Sequence, residues 1–507
     1  MLLHIKQLLL PILLCCAAFS SAQQHTTINF ENNTNIYTTK GIIGKAFDLG
    51  DVPKRYAIDT PNPVKNLKSF SVSVWVKAAA NGKAAYTILS SLEKTSNGFN
   101  GWKFGVQANG AWNFTIASGR YSYAYNPTPG RQSIRDGQWH LLAVTYAYDQ
   151  HDLSFYYDGK QMAIYNAPGL DSVNANTITI GNALDNDTPD KTREWETFYG
   201  AIDDISLSST IFSNTEIENR YYSVTQKKKP ALQKNPSALT HTSFNIWHGG
   251  HEEGKEVGLE RIIQLLTATH ADIFTLVETY GSAEVIADRL GYYVYLISTN
   301  LSIMSRYPFT ETHLVYKAFN SGGATIRLPD GQLVNVFAVW LHYLPNYWST
   351  FLDSKPVNMQ EYMIEENKTR GNEMNAILGE IQSFTNNADN IPIILSGDFN
   401  SGSHLDWTSI SKDKHNGYVV EWPTSVAMYH AGFKDVWRTM HPDVLQYPGI
   451  TWSPLYNEGG YIKDRIDYIY YKGSKLKVVY ANTITSHPVK FPSDHGAVTA
   501  KFEIRKK

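Results

Sequence analysis

Residues 396–400 have the sequence Ser-Gly-Asp-Phe-Asn and follow the apolar run Ile-Pro-Ile-Ile-Leu at residues 391–395. A short apolar run of this kind predicts a strand that is buried on both faces. In an extended backbone, residues i and i+2 point to the same side, so the strand would deliver Asp398 and Asn400 together at its end. A solvated turn after a core strand is the alternative interpretation. The rest of the sequence decides between the two.

The chain has 507 residues, more than one ordinary hydrophobic core holds, so we expect two domains. Its net charge of −2 indicates neither a nucleic-acid-binding composition nor an acidic tail. Residues 1–22 have the pattern of a secretory signal peptide, with Lys6 before a short apolar core and small residues at 20–22. Both cysteines lie in this segment, so we expect a mature chain without disulfides. We therefore expect an exported protein, periplasmic or extracellular, without a transmembrane segment.

Residues 23–225 have the pattern of an all-β domain. Residues 69–77 alternate small polar with large apolar side chains, as a half-buried strand does. Asp158-Gly159 and Asn109-Gly110 are pairs typical of hairpin turns. No segment of helical periodicity and useful length precedes Thr215. These features predict a β-sandwich.

The order and spacing of five motifs in this region resemble the laminin-G / concanavalin A-like jelly roll. The motifs are residues 44–50, the strand around Trp75, residues 136–140, residues 157–160 and residues 200–205. The resemblance implies a lectin-type domain that binds carbohydrate, in some members with calcium. Asp48, Asp203 and Asp204 are the candidate calcium ligands, and a structural role for acidic residues at turns is the alternative.

Residues 226–237 are polar, basic and interrupted by proline, which predicts a linker. From residue 238 to residue 507 strands and helices alternate. Helical spacing appears at 258–266, at 283–290 and over a long stretch at 359–384. Helices alternating with strands predict an α/β domain with helical layers around a mixed sheet. Because the linker is polar and the second half has the pattern of a complete core, we expect residues 238–507 to fold and act alone.

Several strands of the second half end in a polar residue. These residues are Asn245, Glu278, His342, Asp398 with Asn400, Asp467, and Asp494 with His495. Each of them alone has an ordinary structural explanation, such as a turn or a core histidine with satisfied hydrogen bonds. Together they form a set of oxygen ligands with two histidines, contributed by separate strands.

In this order the set resembles the endonuclease/exonuclease/phosphatase superfamily, whose fold is a four-layer αββα sandwich. The matching motifs are residues 243–245, 272–278, 305–308, 341–342, 397–400, 465–468 and 493–495. They extend over nearly all of the second half. The resemblance therefore implies a metal-dependent phosphoesterase with its site at one end of two paired sheets.

The resemblance also implies three groups of site residues. They are Glu278, Asn245 and Asp494 for a divalent cation, Asp398, Asn400 and His342 for the attacking water and the phosphate, and His495 with Asp467 for proton transfer. Hard oxygen ligands suit Mg²⁺ or Mn²⁺, and a zinc–thiolate site would need cysteine. Which residue is the general base stays open at this point.

Charge and aromatic residues bear on the substrate. Residues 238–507 contain 23 Lys and Arg against 28 Asp and Glu, a net charge of −5. A protein that tracks duplex DNA gains affinity from clustered cations, so nucleic acid is the less favoured substrate. The aromatic segment 340–351 offers either stacking surfaces or core packing. We expect a phosphoester linked to a sugar or a polar headgroup; the alternatives are a secreted nuclease and a carbohydrate-binding protein with an inactive enzyme domain.

Overall fold

The computed structural model describes residues 25–31, 38–50, 56–58, 64–82, 85–171, 177–181, 196–230, 238–352, 356–455 and 461–505. The predicted signal peptide and residues 231–237 of the predicted linker lie outside these ranges. Within these ranges, no helix has both the length and the apolar character that crossing a membrane requires.

The N-terminal domain is built mainly from strands, with two helices. The strands are β1 (His25–Ile28), β2 (Thr38–Lys40), β3 (Lys45–Asp48), β4 (Tyr56–Ile58), β5 (Phe70–Ala78), β6 (Tyr86–Ser90), β7 (Glu93–Thr95), β8 (Gly98–Val106), β9 (Trp112–Gly119), β10 (Tyr121–Tyr125), β11 (His140–Ala147), β12 (Asp152–Tyr157), β13 (Lys160–Asn166), β14 (Ile178–Ile180), β15 (Glu196–Thr197) and β16 (Gly200–Ser208). The helices are α1 (Pro129–Gln132) and α2 (Asn214–Thr225).

These strands form a sandwich. One sheet has the order β2-β3-β16-β5-β11-β12-β13, with β1 paired to β16, and the other has the order β10-β9-β8-β6-β14-β4. The core between them is rich in aromatic rings, including Phe104 against Phe114 and Tyr125 stacked on Phe155. The predicted β-sandwich is confirmed.

Two local predictions in this domain are confirmed as well. The predicted strand at 69–77 is β5, and Asp158-Gly159 joins β12 to β13. Both turn residues have positive φ, 50° and 81°, as a type I′ hairpin turn requires.

The C-terminal domain contains twelve strands and nine α-helices within the described residues. The strands are β17 (Ala238–Asn245), β18 (Ile273–Val277), β19 (Tyr293–Leu296), β20 (Leu301–Ser305), β21 (Phe309–Leu314), β22 (Ser321–Arg327), β23 (Leu333–Trp340), β24 (Ile393–Asp398), β25 (Lys434–Asp435), β26 (Asp467–Lys472), β27 (Leu476–Ile484) and β28 (Ala497–Ile504). The α-helices are α3 (Trp247–Gly250), α4 (Lys255–Thr269), α5 (Ala283–Leu290), α6 (Tyr347–Thr350), α7 (Met359–Glu366), α8 (Asn372–Glu380), α9 (Gln382–Asn386), α10 (Pro423–His430) and α11 (Val436–Met440).

Two sheets pack face to face in this domain. One has the order β19-β20-β18-β17-β28-β27 and the other β21-β22-β23-β24-β26-β25. Apolar side chains such as Ile303, Val336 and Ile394 fill the space between them. Side chains of α4 and α5 join the apolar cluster on the outer face of the first sheet, and side chains of α8 join the cluster on that of the second. The four-layer αββα sandwich is confirmed.

The helix predicted over 359–384 is divided into three. A π-turn at Asn367–Gly371 separates α7 from α8, and Ile381 separates α8 from α9 with non-helical φ and ψ of −89° and 11°. Within the π-turn, Arg370 forms a fully buried ion pair with Glu366. A uniform helical period does not reveal such an inserted turn, so the sequence predicted one continuous helix.

A continuous sheet joins the two domains. Strand β13 pairs in parallel with β19, with Tyr165 opposite Leu296, so the first sheet of each domain becomes part of one larger sheet. The carboxyl ends of β13, β19 and β18 point to the same end of this sheet, since β20 is antiparallel to both β18 and β19. Three strand spacings separate β13 from β18, which is about 14 Å.

The stretch 396–400 does not form one extended segment. Strand β24 ends at Asp398, and Asn400 has a left-handed φ of 48°. A turn, rather than the i to i+2 alternation of a strand, therefore brings Asp398 and Asn400 together. Gly397 just before them has φ 150°, and a Cβ there would lie 1.8 Å from the backbone oxygen of Val339 on β23.

Gly397→Ala should destabilise the protein by at least about 3 kcal/mol, because neither the backbone of β23 nor the positive φ accommodates a methyl group. The matched control is Gly379→Ala in α8, where a Cβ meets nothing within 4 Å. That change should stabilise by about 0.5–1 kcal/mol. Chemical denaturation of both variants measures the difference, and equal stabilities would contradict this account of Gly397.

Candidate active site

The polar residues predicted at strand ends meet at one end of the paired C-terminal sheets. Asn245 is the last residue of β17, Glu278 follows β18, and Asp398 ends β24. Asp467 begins β26 directly opposite Asp398 in the antiparallel register. Asp494 and His495 precede β28, and Ser493 Oγ donates a hydrogen bond to the Asn245 backbone oxygen. The structure thus brings together residues that are up to 250 positions apart in sequence.

His495 lies between two carboxylates. Its Nδ1 lies 2.9 Å from Oδ2 of Asp467, and its Nε2 lies 3.8 Å from Oδ2 of Asp398. The backbone N–H of Asp467 donates to Thr451 Oγ1, which fixes the start of β26. Asp467 therefore orients the imidazole so that Nε2 faces Asp398. The predicted pairing of Asp467 with His495 is present.

Burial and charge shift the pKa values of this group. Burial pulls the pKa of His495 down, but the carboxylates of Asp467, Asp398 and Asp494 outweigh it and hold that pKa well above its usual value. Burial raises the pKa of Asp398 to about 7; the His495 charge opposes this shift, and Asp467 and Glu278 add to it. A protonated imidazole beside a carboxyl group that titrates near neutral pH is suited to proton transfer.

Asn245 and Glu278 lie side by side on the other flank of Asp398. Asn245 Nδ2 donates to Glu278 Oε1 at 3.1 Å and to Asp398 Oδ2 at 3.2 Å, while its Oδ1 accepts from the N–H of Trp247. Glu278 Oε2 accepts from the backbone N–H of His248 at 3.0 Å. A carbonyl oxygen has two lone pairs, so Oδ1 of Asn245 keeps one for a further partner.

A divalent cation fits these residues. Oδ1 of Asp494 and Oδ1 of Asp467 are buried and have no hydrogen-bond partner, which is costly for a carboxylate oxygen. Burial raises the pKa of Asp494; the His495 charge opposes this, and Glu278 and Asp467 reinforce it. A cation beside Glu278 and Asp494 would offset this repulsion, and the all-oxygen donors are those that Mg²⁺ and Mn²⁺ prefer.

In the described part of the chain, Asp398, Asp467 and His495 form one group that could hold a metal ion. Each residue offers one ligand atom, and these three atoms lie within 4.8 Å of one another. Nδ1 of His495 already bonds to Oδ2 of Asp467, and the raised pKa of His495 keeps its imidazole protonated. A protonated imidazole does not ligate a metal. This trio is therefore better suited to transferring a proton, and the carboxylates of Glu278 and Asp494 are better suited to binding the cation.

The two remaining predicted site residues lie at the edge of the group. Asn400 Nδ2 donates to Asp398 Oδ2 and to the Leu341 backbone oxygen, so in this structure it orients Asp398. His342 follows Leu341, and its Nδ1 accepts from the N–H of Leu344. Donation from Asn400 and His342 to a phosphate stays a prediction.

Sequence reasoning missed three residues that hold the site together. They are Thr451, which fixes Asp467, Ser493, which bonds to Asn245, and Asn300, whose Oδ1 accepts the backbone N–H of Glu278. Asn300 and Thr451 lie in segments without a distinctive pattern, so only their positions in space reveal them. Ser493 belongs to the motif 493–495, but the motif alone does not indicate its bond to Asn245.

Some aromatic side chains of the segment 340–351 are buried in the core, and others are exposed to solvent. Tyr347 and Phe351 are fully buried with Trp407 and Trp422. Tyr343 is 49% exposed and its ring stacks on His342 at 4.9 Å. The packing interpretation therefore holds for Tyr347 and Phe351, and stacking of Tyr343 on a substrate stays a prediction.

The acidic residues of the N-terminal domain have structural partners. Asp203 Oδ2 accepts from the N–H of Ile43, and Asp48 Oδ1 accepts from the N–H of Gly50. Burial raises the pKa of Asp203 to about 6. These bonds agree with the structural alternative, and calcium binding by Asp48, Asp203 and Asp204 stays a prediction.

Comparisons with known proteins match each domain to a family. A model of the Endonuclease/Exonuclease/phosphatase family matches residues 242–495, and one of the Concanavalin A-like lectin/glucanases superfamily matches residues 54–218. An uncharacterized protein of Caenorhabditis elegans is 30% identical over 297 residues, covering 51% of this chain and 90% of that protein.

Solved structures that resemble this chain match about half of it. Truncated TDP2 from Caenorhabditis elegans is 16% identical, with a TM-score of 0.38, over 52% of this chain and 98% of that chain. The human Nocturnin catalytic domain with bound sulfate anion is 17% identical, with a TM-score of 0.36, over 53% and 94%. A 3′ phosphatase from Neisseria bound to a product DNA hairpin is 18% identical, with a TM-score of 0.36, over 52% and 99%.

His495→Ala should lower the rate of phosphoester hydrolysis by about a thousandfold or more, because the site loses its proton donor. Asp467→Asn should lower it less, since it removes only the orienting partner. If the two act as a unit, the double variant should be scarcely slower than His495→Ala. Steady-state kinetics of the three variants measure this, with the exposed His430→Ala as control. Additive losses would contradict the pairing.

Proposed function

Because the chain belongs to the endonuclease/exonuclease/phosphatase family, hydrolases that act on phosphoester bonds, we propose that it is an exported, divalent-metal-dependent phosphoesterase with a lectin-like targeting module. The hydrogen-bonded pair Asp467–His495 facing Asp398 carries this proposal. Beside it stand the carboxylates of Glu278 and Asp494, which fit a cation. An inactive enzyme domain would be expected to have lost at least one of these groups.

The residues suggest how attack on phosphorus would proceed. Asp398, with a pKa raised to about 7, accepts a proton from a water held in line with the scissile P–O bond. The water oxygen bonds to phosphorus as the bond from phosphorus to the leaving oxygen breaks, and the leaving oxygen keeps the electron pair and takes a proton from solvent. Protonated His495, held by Asp467, donates from Nε2 to a phosphoryl oxygen and stabilises its growing charge. A bound Mg²⁺ or Mn²⁺ supplies Lewis-acid stabilisation of the same charge.

Two arginines near the site, Arg465 and Arg370, are engaged in buried ion pairs. Arg465, two residues before Asp467, is buried with its guanidinium bonded to Asp406 and Asp435. Arg370 pairs with the buried Glu366 and donates to the His342 backbone oxygen. Tracking a long polyanion requires available Lys and Arg, so these contacts support a compact phosphoester over duplex nucleic acid.

Exposed aromatic side chains support a sugar or polar headgroup as the group attached to the phosphate. Tyr343 beside His342 and Tyr280 beside Glu278 are 49% and 39% exposed. The ring of Tyr280 lies 6.0 Å from that of His248, whose backbone N–H bonds to Glu278. Aromatic rings at a cleft rim offer stacking surfaces to sugars and headgroups.

The position of the lectin-like domain supports a targeting role. The loops 148–151 and 167–171 lie at the end of the joined sheet where the active site lies. Tyr123 of β10 donates to the Pro168 backbone oxygen, and the 38% exposed Tyr121 lies against Gly169. Carbohydrate bound on these loops would face the same direction as the cleft.

Activity should disappear in excess chelator and return on addition of Mg²⁺ or Mn²⁺. Glu278→Gln should weaken metal binding and lower turnover, because it removes a charged ligand while keeping the shape of the side chain. The control is Glu311→Gln on β21, outside the site. A chelated enzyme that retains full activity would overturn the metal-dependent mechanism.

A salt titration separates the substrate classes. Sugar- and headgroup-phosphodiesters should be hydrolysed at rates that change little between low and moderate salt at fixed Mg²⁺. Binding by phosphate-tracking cations weakens steeply over the same range. Rapid, salt-sensitive cleavage of DNA or RNA without turnover of the small esters would favour the secreted nuclease instead.

A further inference from the structure

The backbone of Glu278 has an energetically unfavourable conformation. Its φ is 58°, and that of Tyr280 is 34°, both in the left-handed region that side chains with a Cβ disfavour. Such residues cost about 1–3 kcal/mol each and persist only where the surroundings impose them. The backbone conformation of Glu278, a proposed metal ligand, therefore depends on contacts with residues outside β18.

The turn at residues 297–300 imposes this conformation. The backbone N–H of Glu278 donates to Asn300 Oδ1 at 3.1 Å. The N–H of Thr279 donates to the Asn300 backbone oxygen at 3.2 Å, and that of Tyr280 to the Thr299 oxygen at 2.7 Å. Three consecutive N–H groups thus bond to one short turn, so any displacement of the turn moves Glu278.

The N-terminal domain holds this turn. Asn166, the last residue of β13, donates from Nδ2 to the Ile297 backbone oxygen at 2.9 Å in a buried contact. The residue before it, Tyr165, pairs with Leu296 in the parallel register. The jelly roll therefore contacts both the strand that leads into the turn and the first carbonyl of the turn.

Further contacts fix the helix that follows Glu278. The buried Asp288 of α5 accepts hydrogen bonds from Thr128 and from Gln132, and Arg131 donates to the backbone oxygen of Tyr292. The segment that carries Glu278 is thus bounded on both sides by elements bonded to the N-terminal domain.

We propose that Asn166 is a positioning residue for the metal ligand Glu278, so the lectin-like domain forms part of the support of the metal site. The path runs from Asn166 through the 297–300 turn to the backbone of Glu278. This inference rests on the proposed metal-dependent function. It also replaces the expectation that residues 238–507 act alone, because their metal site would lack the support of the turn.

The test is Mn²⁺ binding by the full-length protein, measured by electron paramagnetic resonance of the free ion, without substrate. Asn166→Leu keeps the size of the side chain and removes the donor. It should weaken Mn²⁺ binding by about tenfold, the low end for residues that orient a ligand. The rate of hydrolysis at saturating Mn²⁺ should stay close to that of the wild type. Asn166→Ser, too short to reach Ile297, is the second variant should Asn166→Leu fail to fold.

The matched control is Thr312→Val. Thr312 Oγ1 also donates across the domain boundary, to Asp152 Oδ2 at 2.6 Å, and its hydrogen-bond partners among the described residues, Asp152 and Tyr295, lie outside the 297–300 turn. It should bind Mn²⁺ as the wild type does. Wild-type affinity in the Asn166 variants, or equal weakening in Thr312→Val, would overturn the inference. A wild-type protein that binds no Mn²⁺ would instead overturn the proposed function.

Discussion

The structure depends on bringing four carboxylates, those of Glu278, Asp398, Asp467 and Asp494, to one end of two packed sheets. Two like charges 4 Å apart repel by about 4 kcal/mol at an effective dielectric constant of 20. The protein offsets part of this with the charge on His495 and with donors such as the Asn245 amide. The rest of the repulsion favours a cation. The proposed affinity for a metal would therefore have its origin in this repulsion.

The surrounding elements hold the four carboxylates in place against that repulsion. Asp398 and Asp467 face each other across a strand pair, and the backbone of Glu278 bonds to a turn that Asn166 holds from the other domain. Behind Asp467, buried Arg465 bonds to Asp406 and Asp435, which fixes the entry to β26. Breaking a buried ion pair by removing one partner costs about 3–5 kcal/mol, so this region resists displacement.

The sequence predicted the fold well where a local pattern carries the information. Alternation predicted β5, the Asp158-Gly159 pair predicted a hairpin, and polar residues at strand ends predicted most of the residues that meet at the candidate site. The sequence did not predict features that depend on inserted turns or on contacts between distant segments. The π-turn around Arg370 and the turn between Asp398 and Asn400 leave no periodic signal. The pairing of β13 with β19 joins segments about 130 residues apart, and nothing in either strand specifies its partner.

The joined sheet connects the lectin-like domain to the C-terminal domain through paired strands. A flexible tether gives the second binding event an effective concentration that depends on linker length. Here β13 and β19 set the separation instead, at about 14 Å between β13 and β18. A polymer bound on the lectin-like loops would present only those phosphoesters that lie at that spacing from the bound unit. The protein would then act as a molecular ruler, and lengthening residues 226–237 would leave its reach unchanged.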